Sequence, residues 1–377
     1  MSKAAYGAIG GVYRKIKKGY GVVGGVNRKI KKAYSVIGGV NRPCWRGGEL
    51  TYYGDITELR TARYGLRGAR VGDYALIAGG LGSGSTACAY DASLVQHEAP
   101  SMGTRGSHGV ATVNNNAVFA GGYSGTAAVS SVAAYNASLT ISNPTGLSQK
   151  RCHLAGTSVG DCALFAGGAD KLNLTEAYTT VDAYNASLTR STPTALSKKR
   201  AFLAGTTVGN HALFGGGDTD GALSNIVDAY DASLTRSTAT ALSVARKALA
   251  ATTVGEHALF CGGADTTSLM GTGTAVTTTD AYDASLTLSK PTAINTARHS
   301  LAAITLGNYA LVAGGSVALA YKTTVTAYDI ALTRTQQTNI TGARDNLAAA
   351  SIDDFAMFAG GQTSSGYSSK VTAYTIA

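Results

Sequence analysis

Apolar residues in this chain gather into seven short strings, each closed by a Gly-Gly doublet. Ala-Leu-Ile-Ala precedes Gly79-Gly80, Ala-Val-Phe-Ala precedes Gly121-Gly122, and Ala-Leu-Phe-Ala precedes Gly167-Gly168. The doublet returns at Gly216-Gly217, Gly262-Gly263, Gly314-Gly315 and Gly360-Gly361. Apolar residues on consecutive positions predict a strand covered on both faces. Polar punctuation keeps the same beat. An arginine stands 16 residues before every doublet, at Arg63, Arg105, Arg151, Arg200, Arg246, Arg298 and Arg344. A tyrosine follows each doublet, at Tyr90, Tyr135, Tyr184, Tyr230, Tyr282, Tyr328 and Tyr374, mostly within Tyr-Asp/Asn-Ala-Ser. Doublets lie 42 to 52 residues apart. A repeat of that length built from short strands predicts an all-β fold, a seven-bladed β-propeller with one four-stranded blade per repeat.

Within a repeat the strands can be placed. Strand A follows the arginine (residues 154–159 in the third repeat), a Gly turn leads to strand B (163–168), strand C ends at the tyrosine, and strand D covers 188–196. The seventh repeat stops just after Tyr374, without an outer strand. At the other end, residues 50–59 precede Arg63 as strand D precedes the other arginines, and Leu59, Leu147, Leu196 and Leu242 each stand four residues ahead of their Arg. Residues 50–59 are therefore expected to complete the last blade and close the ring, which removes the open edges of the sheet.

Ahead of this array the pattern changes. Tyr6, Tyr20 and Tyr34 fall 14 residues apart, as do Gly-Gly-Val triplets at Gly10, Gly24 and Gly38. Basic blocks open on Arg14-Lys15 and Arg28-Lys29, and the third copy breaks off at Arg42. Gly-Gly between apolar residues suits a two-residue hairpin turn, where both central positions need φ > 0. Each copy is expected to form a hairpin with a basic second strand. Three such hairpins bury too little to stand alone, so they are expected to pair with something else. Charge singles out the same segment: residues 1–47 hold eleven Lys and Arg and no acid, whereas the whole chain is +10, leaving −1 on residues 48–377. That asymmetry points to an acidic partner for an anchor at 1–47, followed by a propeller at 48–377.

Composition adds limits. The chain is 45% hydrophobic and 14% charged with 48 Gly, which describes a folded, turn-rich protein. No apolar run is long enough to span a bilayer, so no membrane insertion is expected. Cys44, Cys88, Cys152, Cys162 and Cys261 make neither a CxxC pair nor an even disulfide set; Cys88, Cys152 and Cys261 read as small core residues, in a reducing compartment. A copper oxidase built on such a propeller would need clustered His and Tyr ligands with a nearby Cys. His211 and His257 share a repeat position near the A–B turn, while His97, His108, His153 and His299 read as lying in or near strand A, so no three converge. No nucleophile elbow, metal-spaced His pair or phosphate loop is present. The expectation is a non-enzyme without metal or cofactor.

The repeats also form an internal alignment. The A–B and C–D turns are nearly uniform, but from the second Gly to the Tyr the B–C loops measure 10, 13, 16, 13, 19, 13 and 13 residues and differ freely in sequence. Variable loops on a rigid scaffold are where recognition is expected. They carry Tyr123, Tyr178, Tyr321 and Tyr367, whose rings can stack on a sugar face, and Asp170, Asp218, Asp220 and Asp265, which can accept sugar hydroxyls. The longest loop, around residues 268–271, is expected to project furthest. The arginine ring belongs to the same face, and reads either as a tie to backbone carbonyls between blades or as an anion pocket.

Arg, an apolar strand ending in Gly-Gly, and Tyr followed by Asp together resemble the kelch repeat over residues 50–377, without that repeat's usual strand-D Trp; Trp45 is the only Trp. The resemblance implies a propeller that displays loops for partners. The strip Gly-Gly-Val-Asn-Arg-Lys-Ile-Lys-Lys-Ala-Tyr resembles basic repeats that open tail-associated proteins of phages and prophages of Gram-positive bacteria. It implies a virion component assembled in the bacterial cytoplasm, oligomeric in the particle, joined to other tail proteins through residues 1–47 and facing a host-surface glycan. The alternative is an intracellular bacterial scaffold whose basic arm binds nucleic acid. Gly-Gly turns suit sheet pairing better, and one Tyr per repeat supplies little base stacking.

Overall fold

The computed structural model describes residues 20–23, 26–29, 32–37, 40–46, 48–82, 84, 86–171, 176–267 and 274–376, with side chains from residue 48 onward. Seven four-stranded antiparallel sheets run in sequence. In blade 3 the order is A Ala155–Val159, B Cys162–Ala166, C Val181–Asn185, D Arg190–Ser191. Strand A of each blade packs on strand A of the next, and blade 7 returns to blade 1. Blade 7 joins Ala348–Ile352, Phe355–Ala359 and Val371–Ile376 to the N-terminal strand Leu50–Ile56, paired from Ile376↔Leu50 to Val371↔Ile56 with a register shift at Ala373/Tyr374. Its outer strand thus comes from the far end of the sequence, as expected.

Strand A is built of small residues because its backbone touches the neighbouring blade. A Cβ on Gly156 would sit 2.4 Å from the Val110 carbonyl oxygen. Strand B is buried on four consecutive positions in every blade, as its apolar run predicts. Strand D is shorter than the expected 188–196 of blade 3, and it is shortest wherever its fourth position is proline. Blades 2, 3 and 5 carry Pro144, Pro193 and Pro291 there and keep only two residues, Ile141–Ser142, Arg190–Ser191 and Leu288–Ser289. Blades 4 and 6 carry Ala239 and Gln337 and keep four, Arg236–Ala239 and Arg334–Gln337. Proline brings no N–H to a ladder, so pairing ends before it.

The repeat-wide residues are joints. Each Tyr hydroxyl donates to a backbone carbonyl of the preceding blade, Tyr184 to Thr145, Tyr230 to Thr194 and Tyr374 to Thr338 among them, at 2.5–2.8 Å across all seven. The Asp or Asn after it (Asp91, Asn136, Asn185, Asp231, Asp283, Asp329) accepts two backbone N–H bonds at 2.8–3.0 Å and folds the C–D turn.

Each arginine ties two blades. Arg200 is held through its backbone by blade 3, where Gly168 N–H donates to its carbonyl and its own N–H donates to Tyr178. Its guanidinium enters blade 4, donating to the Gly216 and Ile226 carbonyls at 2.9 and 2.7 Å and to Asp228 at 2.5 Å. The Gly-Gly corner makes room for this. Gly167 has φ +66°, and a Cβ there would meet the Arg200 carbonyl oxygen at 2.4 Å.

Toward the N-terminus, Tyr20–Val23 pairs with Val26–Lys29 and Lys32–Ile37 pairs with Val40–Arg46, with a bulge at Ala33/Tyr34. The expected first hairpin, with Tyr6, Arg14 and Lys15, lies outside the described residues. So do the side chains of Tyr20, Arg28, Lys29, Tyr34 and Arg42.

Candidate functional site

Strand direction places the B–C loops and the D–A linkers at one end of the ring. There the residue two past each arginine takes a left-handed conformation: Gly65, Ser107, His153, Phe202, Ala248, Ser300 and Asn346, with φ between 49° and 67°. Each of these N–H groups donates to the equivalent carbonyl of the preceding blade at 2.8–3.0 Å, from Ser107 to Gly65 and onward until Gly65 donates to Asn346. Seven bonds close on themselves around the axis. Left-handed backbone costs a non-glycine residue about 1–3 kcal/mol, so six such residues persist only because the closed ring over-determines them. No residue type marks this ring in the sequence.

Below it lies an axial cavity of about 240 Å³ lined by all seven blades. Its walls are mostly Gly, Ala and Leu, with Ser107, His153, Ser300 and Asn346 at the rim and Arg67 as the one lysine or arginine among them. At the first position of strand A the other blades have Gly109, Ala155, Ala204, Ala250, Ala302 and Ala348. That comparison was available in the sequence and would have singled out Arg67.

The expected loop residues divide sharply. Tyr367 is 46% exposed and stacks on Tyr64, with ring centroids 4.8 Å apart and planes 24° apart. Tyr123 lies close enough that, after burial and Tyr367, it helps push the Tyr64 phenol up. Tyr64, directly after Arg63, is the partner that loop reasoning missed. Tyr178 and Tyr321 are half-buried on other blades, Tyr321 within the short hairpin of Ser316–Val317 and Ala320–Tyr321. Asp265 is exposed. Asp170 accepts the Glu176 N–H at 3.1 Å within its own loop. Asp220 accepts the Ala177 N–H at 2.6 Å and pairs with Lys199, which joins two B–C loops. Asp218 is 1% exposed and receives Lys247 Nζ at 2.8 Å. It therefore braces the face and offers no carboxylate to solvent. Residues 268–271, the expected tip of the fifth loop, lie outside the described residues.

The arginine ring offers no open pocket either: all seven side chains are buried, at 3% exposure or less. In blades 3, 4 and 5 a buried carboxylate faces the guanidinium, Asp182, Asp228 and Asp280 at 2.8, 2.5 and 2.8 Å. In blades 6 and 7 the place is taken by Thr326 and Thr372, and burial pulls Arg298 and Arg344 down to about 10.

His97, expected near strand A, stands in strand D (Gln96–Ala99) and binds Asp91 at 2.8 Å. Among the described residues no three His, Cys, Asp or Glu side chains form a metal-ligating group. His108 is unusual. It occupies the place held by Leu66, Leu154, Leu203, Leu249, Leu301 and Leu347 in the other blades, is wholly buried, and among the described residues has no side-chain partner for either ring nitrogen, the Arg105 backbone being the one group that favours its protonated form. Burial, with the Arg105 and Arg67 cations behind it, holds its pKa well below 6.5. The folded state thus keeps His108 neutral, while the unfolded chain takes up a proton below about pH 6.5. Its contribution to stability is lost as pH falls through that value, with a slope of up to about 1.4 kcal/mol per pH unit. His108→Leu should stabilise the fold by about 1–3 kcal/mol and flatten the acid limb of a melting-temperature profile. Buried His299, also lowered by burial, would supply the slope that remains. A variant that melts lower, or with the same acid slope, would refute this reading.

No known protein family matches the sequence, and neither does any curated protein. A solved structure described as that of YjhT is similar in shape, with TM-score 0.61 and 14% sequence identity, covering 75% of this chain and 99% of that one. At that identity the likeness concerns the fold. With the seven sheets, the closing N-terminal strand and the axial ring of hydrogen bonds, it identifies the chain as a seven-bladed β-propeller.

Proposed function

We propose that this protein is a non-catalytic component of a phage or phage-like particle, held in the particle through its basic N-terminal repeats and presenting the B–C face of the propeller to a host-surface glycan. The observation that carries the reading is the separation of charge and shape along the chain. Eleven cations without an acid precede a propeller of net charge −1. A segment so basic suits attachment to acidic neighbours, here other tail proteins and further copies of the chain. The nearly neutral propeller is then free for a different task. Its variable face presents the stacked Tyr64–Tyr367 pair, a flat amphipathic surface of the kind that packs on a sugar ring.

The test has two arms. Full-length protein carrying Tyr64→Ala and Tyr367→Ala should bind host cells about 10-fold more weakly or worse, from two aromatic contacts of about 0.5–1.5 kcal/mol each, with unchanged melting. Deleting residues 1–45 should leave cell binding intact and abolish incorporation into particles. Equal cell binding by the double variant would end the receptor reading, and incorporation of the truncated chain would end the anchor reading.

A further inference from the structure

The geometry points to a single oxyanion-binding site inside the axial cavity, built on Arg67. Seven-fold repetition makes the exception visible. Six blades begin strand A with Gly or Ala, and blade 1 begins it with an arginine that lines the shared cavity. Among the described lining residues there is no carboxylate. The repeat-wide arginines show what this fold does with a guanidinium it keeps for structure: Arg151, Arg200 and Arg246 each face a buried aspartate and a strand-B carbonyl. Arg67 has neither. Its hydrogen bond is from Nη1 to the carbonyl of its own neighbour, Leu66, at 3.1 Å, and the half-buried side chain lines the cavity.

A guanidinium largely withdrawn from water without a counter-charge among the described residues is costly, and burial draws its pKa down. The planar fork of donors left over matches two oxygens of a carboxylate or a phosphate. Space is sufficient. A cavity of about 240 Å³ holds about eight waters' worth of volume at roughly 30 Å³ each, room for an oxyanion group with part of its hydration. At the rim Ser300 is engaged with His299 and Asn346 donates to Asp345, each at 3.1 Å, so Arg67 carries the site. The site is independent of the tyrosine face and of any host receptor, and takes an oxyanion group either free or at the end of a larger ligand.

Calorimetric titration of the full-length protein decides it, with sodium phosphate in one arm and sodium acetate in the other, at constant ionic strength set by chloride. The parent should show saturable one-site binding in at least one arm, and the arm that responds tells phosphate from carboxylate chemistry. Arg67→Ala should bind at least 10-fold more weakly. Arg70→Ala should bind as the parent does, because Arg70 is exposed and paired with Asp353 at 3.2 Å. Melting supplies a second signature. Without the anion Arg67→Ala should melt higher than the parent, and saturating anion should raise the parent alone. If Arg67→Ala does not fold, Arg67→Gln takes its place with the same expected outcomes. Absence of saturable binding by the parent in both arms, or undiminished binding by the uncharged variant, would overturn the proposal.

Discussion

Asp228→Ala should destabilise the propeller by about 3–5 kcal/mol, the usual cost of breaking a buried ion pair from one side. Asp228 is wholly buried in strand C of blade 4. One carboxylate oxygen receives Arg200 Nη2 at 2.5 Å, the other receives Arg236 Nη1 at 3.0 Å, and the Ser197 N–H donates to both at 3.3 Å. Alanine leaves the wholly buried Arg200 with carbonyl acceptors alone. The chain itself supplies the control, since blades 6 and 7 place Thr326 and Thr372 opposite Arg298 and Arg344. Asp228→Thr should therefore cost measurably less than Asp228→Ala, because a hydroxyl can take the guanidinium N–H that alanine strands. Urea unfolding midpoints for the three proteins measure the difference. A loss below about 1 kcal/mol for Asp228→Ala, typical of a solvent-screened pair, would mean that water reaches Arg200 and that the tie is not sealed.

Much of this architecture is legible in the sequence because the chain states it seven times. One Arg could be a ligand contact; seven at a fixed offset from Gly-Gly must satisfy a need every blade shares, and the structure gives that need as the tie between blades. Tyr184 and its six counterparts follow the same logic. What the repeats hide is whatever depends on which atom arrives beside which. Asp218 and Asp265 both stand just after a Gly-Gly corner in variable loops, yet one is buried against Lys247 and the other exposed. Lys247 comes from the linker into the next blade, so no reading of a single loop could foresee the pair. The Tyr64–Tyr367 stack joins blades 1 and 7 across 303 positions of chain, brought together only by ring closure. The axial ring is invisible for another reason: it is made of backbone, and Gly, Ser, His, Phe, Ala, Ser and Asn fill it equally well. Arg67 and His108 are the converse case. They are departures from an internal consensus, readable as soon as the seven repeats are aligned column by column.

Deleting residues 48–60 should abolish cooperative melting and drive aggregation, the largest effect expected of any change considered. The deletion removes Leu50–Ile56 and leaves strand C of blade 7, Val371–Ile376, as an unpaired edge. It also strips several contacts at once. Leu50 and Leu59 are buried, Tyr52 packs edge-on against Tyr374 at 5.6 Å, and the Thr57 carbonyl accepts the Tyr90 hydroxyl that ties blade 1 to blade 7. Burying a Leu, Ile or similar side chain is worth about 1.5–3 kcal/mol, so losing several approaches the whole stability of a typical domain, about 5–15 kcal/mol. A rescue separates closure from mere loss of mass. Ile376 lies opposite Leu50, at the end of the blade where the other six blades make their C–D turn. Fusing residues 50–62 after Ile376 through an Asp-Ala-Ser-Leu turn, as in Asp231-Ala-Ser-Leu234 of blade 4, rebuilds that hairpin from one end of the chain. The permuted protein should recover a single cooperative transition and a monomeric elution volume. Unchanged melting of the deletion variant, or failure of the fused strand to restore it, would show that the ring is held by something other than the pairing of residues 50–56 with 371–376.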